Sequence, residues 1–168
     1  MGTKEHREKA LQSVSIGIVT LSSTRSLADD ESGNWMAAQS EKQGHRVIFH
    51  QVVPDHAETV RHTVLDTVQI HHPDVLLLSG GTGVSPKDLT VEAVKPLFHK
   101  ELTAFGHLFA MLSYEEIGSA AILSRAAAGI VRNTAVFCMP GSLKACMLAC
   151  EKLIFPELGH LLSHMRKG

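Results

Sequence analysis

The sequence predicts an α/β domain of three layers: a mostly parallel sheet with helices packed on both faces. Three observations carry this. Short apolar runs rich in β-branched residues alternate along the chain with segments of helical periodicity, the order that produces a parallel sheet. The greasiest runs lack polar/apolar alternation, as befits strands covered on both faces. Each run is followed by glycine, hydroxyl or carboxylate residues, where turns into helices belong.

The elements follow in order. Val14 to Leu21 (VSIGIVTL) is nearly all apolar and is the first strand. Asn34 to Gln43 is helical and ends at Gly44, a residue suited to the position just past a helix. Arg46 to Val53, rich in Val, Ile and Phe, is the second strand. Ala57, Val60, Val64 and Val68 recur at helical spacing with Leu65 beside them, and this helix stops before Pro73. Asp74 to Ser79 is a short, strongly apolar third strand. A longer helical region runs from Val91 through Leu112, interrupted near Pro96. Thr134 to Met139 (TAVFCM) is the fourth strand. The last helix begins at Leu143, lays Cys146, Met147, Cys150, Leu153 and Ile154 on one face, and is kinked by Pro156.

At 168 residues the chain is sized for a single domain spanning 1–168, with no repeat or linker. Its polar segment 1–12 reads as a mobile arm without the apolar core of a signal peptide. A formal net charge of -1 offers no electrostatic footprint for nucleic acid or an anionic membrane. The run Val75-Leu76-Leu77-Leu78 is far too short to cross a bilayer, so a cytoplasmic protein is expected. Cys138, Cys146 and Cys150 are odd in number and form no Cys-x-x-Cys pair, which argues for buried thiols over disulfides or zinc. His160 and His164 have metal-ligand spacing on a helix, or belong to a solvated tail.

In parallel sheets ligands bind at the carboxyl edge, where all four strand ends gather. Ser22-Ser23-Thr24-Arg25 and Asp29-Asp30-Glu31-Ser32-Gly33 follow the first strand, and Pro54-Asp55 the second. The third gives Gly80-Gly81-Thr82-Gly83, then Ser85-Pro86-Lys87-Asp88; the fourth gives Pro140-Gly141-Ser142. The three glycines around Thr82 allow positive φ and close backbone approach, so Gly80, Gly81, Thr82 and Gly83 read as an anion nest. Ser85, Lys87 and Asp88 strengthen a phosphate site there. Asp55 and Asp88 are candidate catalytic carboxylates and candidate Mg²⁺ ligands, since Mg²⁺ takes a few carboxylates plus phosphate oxygens. Helix capping would also explain them. Asp29, Asp30, Ser32 and Ser142 read as capping residues, and Arg125 is either a phosphate contact or a surface ion pair.

The block from Gly80 to Ala93 (GGTGVSPKDLTVEA) resembles the signature of the molybdopterin-binding family of molybdenum cofactor biosynthesis. Ser124-Arg125-Ala126-Ala127-Ala128-Gly129 and Met139-Pro140-Gly141-Ser142 match its two other blocks. The stretch from Leu97 to Gly118 looks most like the B-type members, and the resemblance runs from about Ser15 to the final helix. It implies the family's α/β sandwich and a reaction of molybdopterin with ATP, giving adenylyl-molybdopterin and pyrophosphate. Asp55 and Asp88 match the two catalytic aspartates of the adenylyltransferases, and Mg²⁺ is implied with them. Ser124, Pro140, Gly141 and Ser142 become ligand contacts beside the glycine turn. Lys87 departs from the arginine usual in the adenylyltransferases and lacks its bidentate fork. The alternative function is a non-catalytic molybdopterin carrier or scaffold of the same pathway.

Assembly is a further expectation. Leu97, Phe98, Leu102, Phe105, Leu108, Phe109 and Leu112 make a broad apolar face, either the second layer of the monomer or a contact with a partner. The resemblance implies homo-oligomers, trimers or hexamers of two trimers, and other proteins of the same pathway as partners.

Overall fold

A computed structural model describes residues 13–167; the arm expected over 1–12 lies outside the described residues. The elements in chain order are β1 (Ser15–Leu21), α1 (Glu31–Lys42), β2 (Arg46–Val53), α2 (Ala57–Asp66) and β3 (Val75–Ser79). They continue as α3 (Thr90–Val94), β4 (Lys100–Glu101), α4 (Thr103–Ile117), β5 (Ala127–Val131), β6 (Thr134–Met139), α5 (Leu143–Ala149) and α6 (Leu158–Met165). A π-turn, Thr67–His71, extends α2, and another, Cys150–Ile154, leads with the 3₁₀ turn Phe155–Glu157 from α5 into α6.

The six strands lie in the order β2-β1-β3-β6-β5-β4. β1 runs parallel to β2 and β3, and β3 parallel to β6, so the four predicted strands form the parallel body of the sheet. β5 and β4 are added antiparallel at one edge. Alternate side chains feed two cores. Ile16, Ile18, Val75, Leu77 and Phe137 pack beneath α1, α4, α5 and α6, with Met36, Phe109, Ile154 and Leu158. Val19, Leu76, Leu78 and Val136 face α2 and α3, with Val60, Val64 and Val94. Leu76, Leu77 and Leu78 are all fully buried, which explains the lack of alternation in β3. Each such side chain contributes about 1.5–3 kcal/mol through burial.

Two expectations need correction. The region read as helical from Val91 through Leu112 breaks more deeply than one interruption near Pro96. α3 ends at Val94, Lys95–Leu97 forms a 3₁₀ turn, and β4 pairs with β5 before α4 begins. Proline has no N–H to continue a helix, and the chain uses the break to reach the sheet edge. α1 starts at Glu31, three residues before the predicted Asn34, because Asp30 caps it by accepting from the Gly33 N–H at 3.1 Å. Gly44 takes φ +87 just past its end, as the sequence predicts.

The apolar face of the fourth helical region divides. Phe105 and Phe109 are buried, and Leu97, Phe98, Leu102 and Leu112 pack half-buried against the two cores. These six form the monomer's own second layer; of the seven, Leu108 alone is exposed.

Candidate functional site

The carboxyl ends of β1, β3 and β6 are stitched together at the central turns. The Gly80 N–H donates to the Met139 carbonyl at 3.0 Å, joining the β3 end to β6. Gly80 and Gly81 adopt φ +104 and +66, backbone that L residues with a Cβ rarely take. The Thr90 hydroxyl donates to the Gly80 carbonyl at 2.8 Å, and the Thr90 N–H to the Gly81 carbonyl at 3.0 Å. A Cβ on Gly141 would stand 3.2 Å from the Gly80 Cα, so the β3 and β6 turns touch backbone to backbone. This close approach is why the Pro140-Gly141-Ser142 turn carries glycine at its centre.

Asp88 closes the following loop. Its Oδ2 accepts the Ser85 N–H at 3.0 Å, and its own N–H donates to the Ser85 carbonyl at 3.0 Å. The Lys87 N–H donates to the Ser85 hydroxyl at 3.3 Å, while the Lys87 side chain is exposed. The Ser142 hydroxyl caps α5 by accepting from the Ala145 N–H at 3.2 Å, the capping role the sequence allowed. Ser124 lines a polar cleft of about 390 Å³ with Lys95, Thr103, His107 and Arg125.

Arg125 is committed to the structure of the turn. Its Nε donates to the Thr82 and Gly83 carbonyls at 2.9 and 3.1 Å, and its Nη atoms pair with Glu92. Hydrogen bonding to Glu92 raises the guanidinium above its ordinary value and holds the Glu92 carboxyl below its own. Of the two readings the sequence left for Arg125, the ion pair is the one observed. Glu92 holds the guanidinium while its Nε clamps the glycine turn.

Asp55 stands half-buried beyond β2, where the Ser23 hydroxyl donates to its Oδ1 at 2.5 Å. Asp55 and Asp88 each have one carboxylate oxygen without a hydrogen bond among the described residues. Those hard oxygens suit a magnesium ion that completes its shell with water and phosphate. Among the described residues no group of three or more His, Cys, Asp or Glu is placed to hold a metal. A larger cavity of about 510 Å³, lined by Leu102, Phe105, Leu153, His160 and His164, lies on the helical layer and involves none of the candidate residues of the carboxyl edge.

Two features at this edge escape a sequence reading. The fully buried Asp30 accepts from the Thr20 hydroxyl at 2.7 Å and sits 2.9 Å from His50 Nε2, tying β1, β2 and the start of α1 into one knot. A lone Thr and a lone His inside apolar strand runs were the available signals. Arg25 reaches across from the β1 turn to the Gly141 carbonyl at 3.2 Å. The three thiols are buried, and burial pushes those of Cys138 and Cys146 up to about 12 and that of Cys150 up as well, away from the thiolate form a nucleophile needs.

The family signature described as "Probable molybdopterin binding domain" matches residues 15–160. The chain belongs to this family. It is 45% identical to "Molybdenum cofactor biosynthesis protein B" of Bacillus subtilis over 168 residues, covering 99% of each chain. It is 35% identical to the "Probable molybdopterin adenylyltransferase" of Methanocaldococcus jannaschii over 167 residues, covering 95% of this chain and 99% of that protein. A crystal structure of molybdenum cofactor biosynthesis protein B superimposes with a TM-score of 0.90 at 43% identity, covering 93% of this chain and 98% of that one. The likeness to B-type members and the α/β sandwich expected from the sequence are thus both found. Within the family's fold, the glycine turn, Asp55, Asp88 and the β6 turn all belong to one sheet edge. Among the described residues no helix is long and apolar enough to cross a membrane.

Proposed function

We propose that this member of the molybdopterin-binding family acts in molybdenum cofactor biosynthesis by binding molybdopterin and adenylylating it with ATP. The observation that carries the reading is the pair Asp55 and Asp88, each carboxylate fixed by one hydrogen bond and each with one oxygen left over, on the loops that follow β2 and β3 at the glycine-lined sheet edge. The relatives named for molybdenum cofactor biosynthesis and for adenylyl transfer support it.

In this reading the terminal phosphate oxygen of molybdopterin attacks the α-phosphorus of ATP. A new P–O–P linkage forms, the bond from the α-phosphorus to the bridging oxygen breaks, and pyrophosphate leaves with the electron pair. The nucleophile is already anionic, so no general base is required, and positioning and charge neutralisation do the catalytic work. Asp55 and Asp88 would hold Mg²⁺, which would supply charge neutralisation at the phosphates. Gly80, Gly81, Thr82 and Gly83 bring backbone close to phosphate, Ser85 and Lys87 flank them, and Ser124, Pro140, Gly141 and Ser142 contact the ligand. Incubation of the protein with molybdopterin, ATP and Mg²⁺ tests the reading: stoichiometric pyrophosphate and adenylyl-molybdopterin are expected. Tight molybdopterin binding without pyrophosphate would instead establish the carrier or scaffold role, the alternative that Lys87 in place of arginine favours.

A further inference from the structure

Two arginines reach the carboxyl edge, and they are used differently. Arg125 engages every guanidinium nitrogen, on the Thr82, Gly83 and Asp88 carbonyls and on Glu92. One N–H of Nη1 remains, on a guanidinium whose charge Glu92 already offsets. Arg25 commits only Nη1, which donates to the Gly141 carbonyl at 3.2 Å and to the Ser32 hydroxyl at 3.4 Å. Its Nε and Nη2 have no hydrogen-bond partner among the described residues, and no carboxylate pairs with it there.

The head of Arg25 is nevertheless placed. The Ser22 hydroxyl accepts its backbone N–H at 3.1 Å, which fixes the loop, and Nη1 rests on the same turn whose Gly141 packs against Gly80. The carboxylates nearest in sequence are occupied elsewhere. Asp29 accepts from the Ser26 hydroxyl at 2.7 Å, and the buried Asp30 is taken by Thr20, Gly33 and His50. An exposed cation held in position, with an open edge of donors beside two backbone turns in contact, is the arrangement that grips a planar pair of phosphate oxygens.

We propose that Arg25 is the phosphate-binding cation of this edge, its Nε and Nη2 taking two oxygens of a ligand phosphate lying across Gly80 and Gly141. This rests on the reading that the edge takes a phosphate-bearing ligand, and assigns the charged grip to Arg25 in place of Lys87. The Lys87 ammonium is exposed on a flexible stem, and ordering it on binding costs rotamer freedom that the placed Arg25 has already lost.

The test is calorimetric titration of AMP and of inorganic pyrophosphate into the full chain and into Arg25→Gln, Arg25→Lys and Lys87→Gln, at two salt concentrations. Arg25→Gln should weaken both anions by about 10-fold to 100-fold, the effect of a lost charge-assisted pair. Arg25→Lys should recover only part, because it lacks the fork. Lys87→Gln should weaken both anions by less than Arg25→Gln does, because the exposed Lys87 stem must still be ordered on binding. The affinity that remains in Arg25→Gln should depend less on salt than that of the unmodified protein, a change that mere repositioning of the loop would not produce. Unchanged affinity in Arg25→Gln, a larger loss in Lys87→Gln, or weakening with an unaltered salt dependence would each overturn the assignment. If the unmodified protein binds neither anion, the phosphate reading fails and this assignment with it. Melting curves of the variants matching the unmodified protein separate a lost contact from a lost fold.

Discussion

Gly81→Val is the substitution whose cost the structure defines best. Gly81 sits at φ +66, and a Cβ there would overlap the Thr90 hydroxyl. Left-handed backbone costs an L residue about 1–2 kcal/mol, and a β-branched one suffers at the upper end. Thr90 would have to swing away from the Gly80 carbonyl, losing a buried hydrogen bond worth about 1 kcal/mol. Together these come to about 2–3 kcal/mol, which for a chain of this size lowers Tm by roughly 5–10 °C. Lys87→Ala, at an exposed position, should stay within about 0.5 kcal/mol. The same distortion should reach the ligand, because Gly80 is the residue against which Gly141 packs. Thermal melting followed by titration of AMP checks both halves: Gly81→Val should be the less stable variant and the weaker binder. An unaltered Tm together with unaltered affinity in Gly81→Val would refute both the clasp and the close-approach model of the turn.

Asp55→Ala and Asp88→Ala are each expected to abolish pyrophosphate release. Stability should fall by less than about 1 kcal/mol for Asp55 and by about 1 kcal/mol for Asp88, whose hydrogen bond to the Ser85 N–H closes its loop; turnover at the unmodified rate in both would remove the catalytic assignment. Burial holds His45 below its ordinary value, and its Nδ1 has no hydrogen-bond partner among the described residues, so the unfolded chain takes up the proton first. Stability should therefore fall as pH drops below about 6.5, and His45→Gln should flatten that part of a melting-temperature profile. Asp74 is pushed up by burial, but bonds from the Ser15 N–H and hydroxyl and from Arg166 outweigh this and leave it below the carboxylate range. Its contribution is complete above about pH 4 and is lost as pH falls through the lower folded value, so Asp74→Asn should be destabilised at neutral pH and less so in acid. Light scattering at micromolar concentration should give three or six times 18.2 kDa, with the exposed Met111, Tyr114, Ile117 and Ile122 covered by neighbouring copies, whereas a stable monomer would remove the oligomer proposal.

The parts of this fold that were legible in the sequence are those where local chemistry and tertiary role agree. β1, β3 and β6 are buried on both faces, and their runs of Val, Ile and Leu state it directly. β5 was hidden because Ala127-Ala128-Gly129 has little strand preference of its own. Gly129 is required there because a Cβ would overlap the Phe98 ring, a contact between residues far apart in the chain. β4 is two residues long and exists only because β5 offers it an edge. The glycine turn could be found from composition, since positive φ at consecutive positions leaves few other choices. The division of labour among cations could not. Arg25, Lys87 and Arg125 look equally available in the sequence, and only the positions of Glu92 and of the Thr82 and Gly83 carbonyls show that Arg125 is consumed by the turn. A free charge is defined by what fails to neutralise it, which is a property of the assembled edge and not of any one segment.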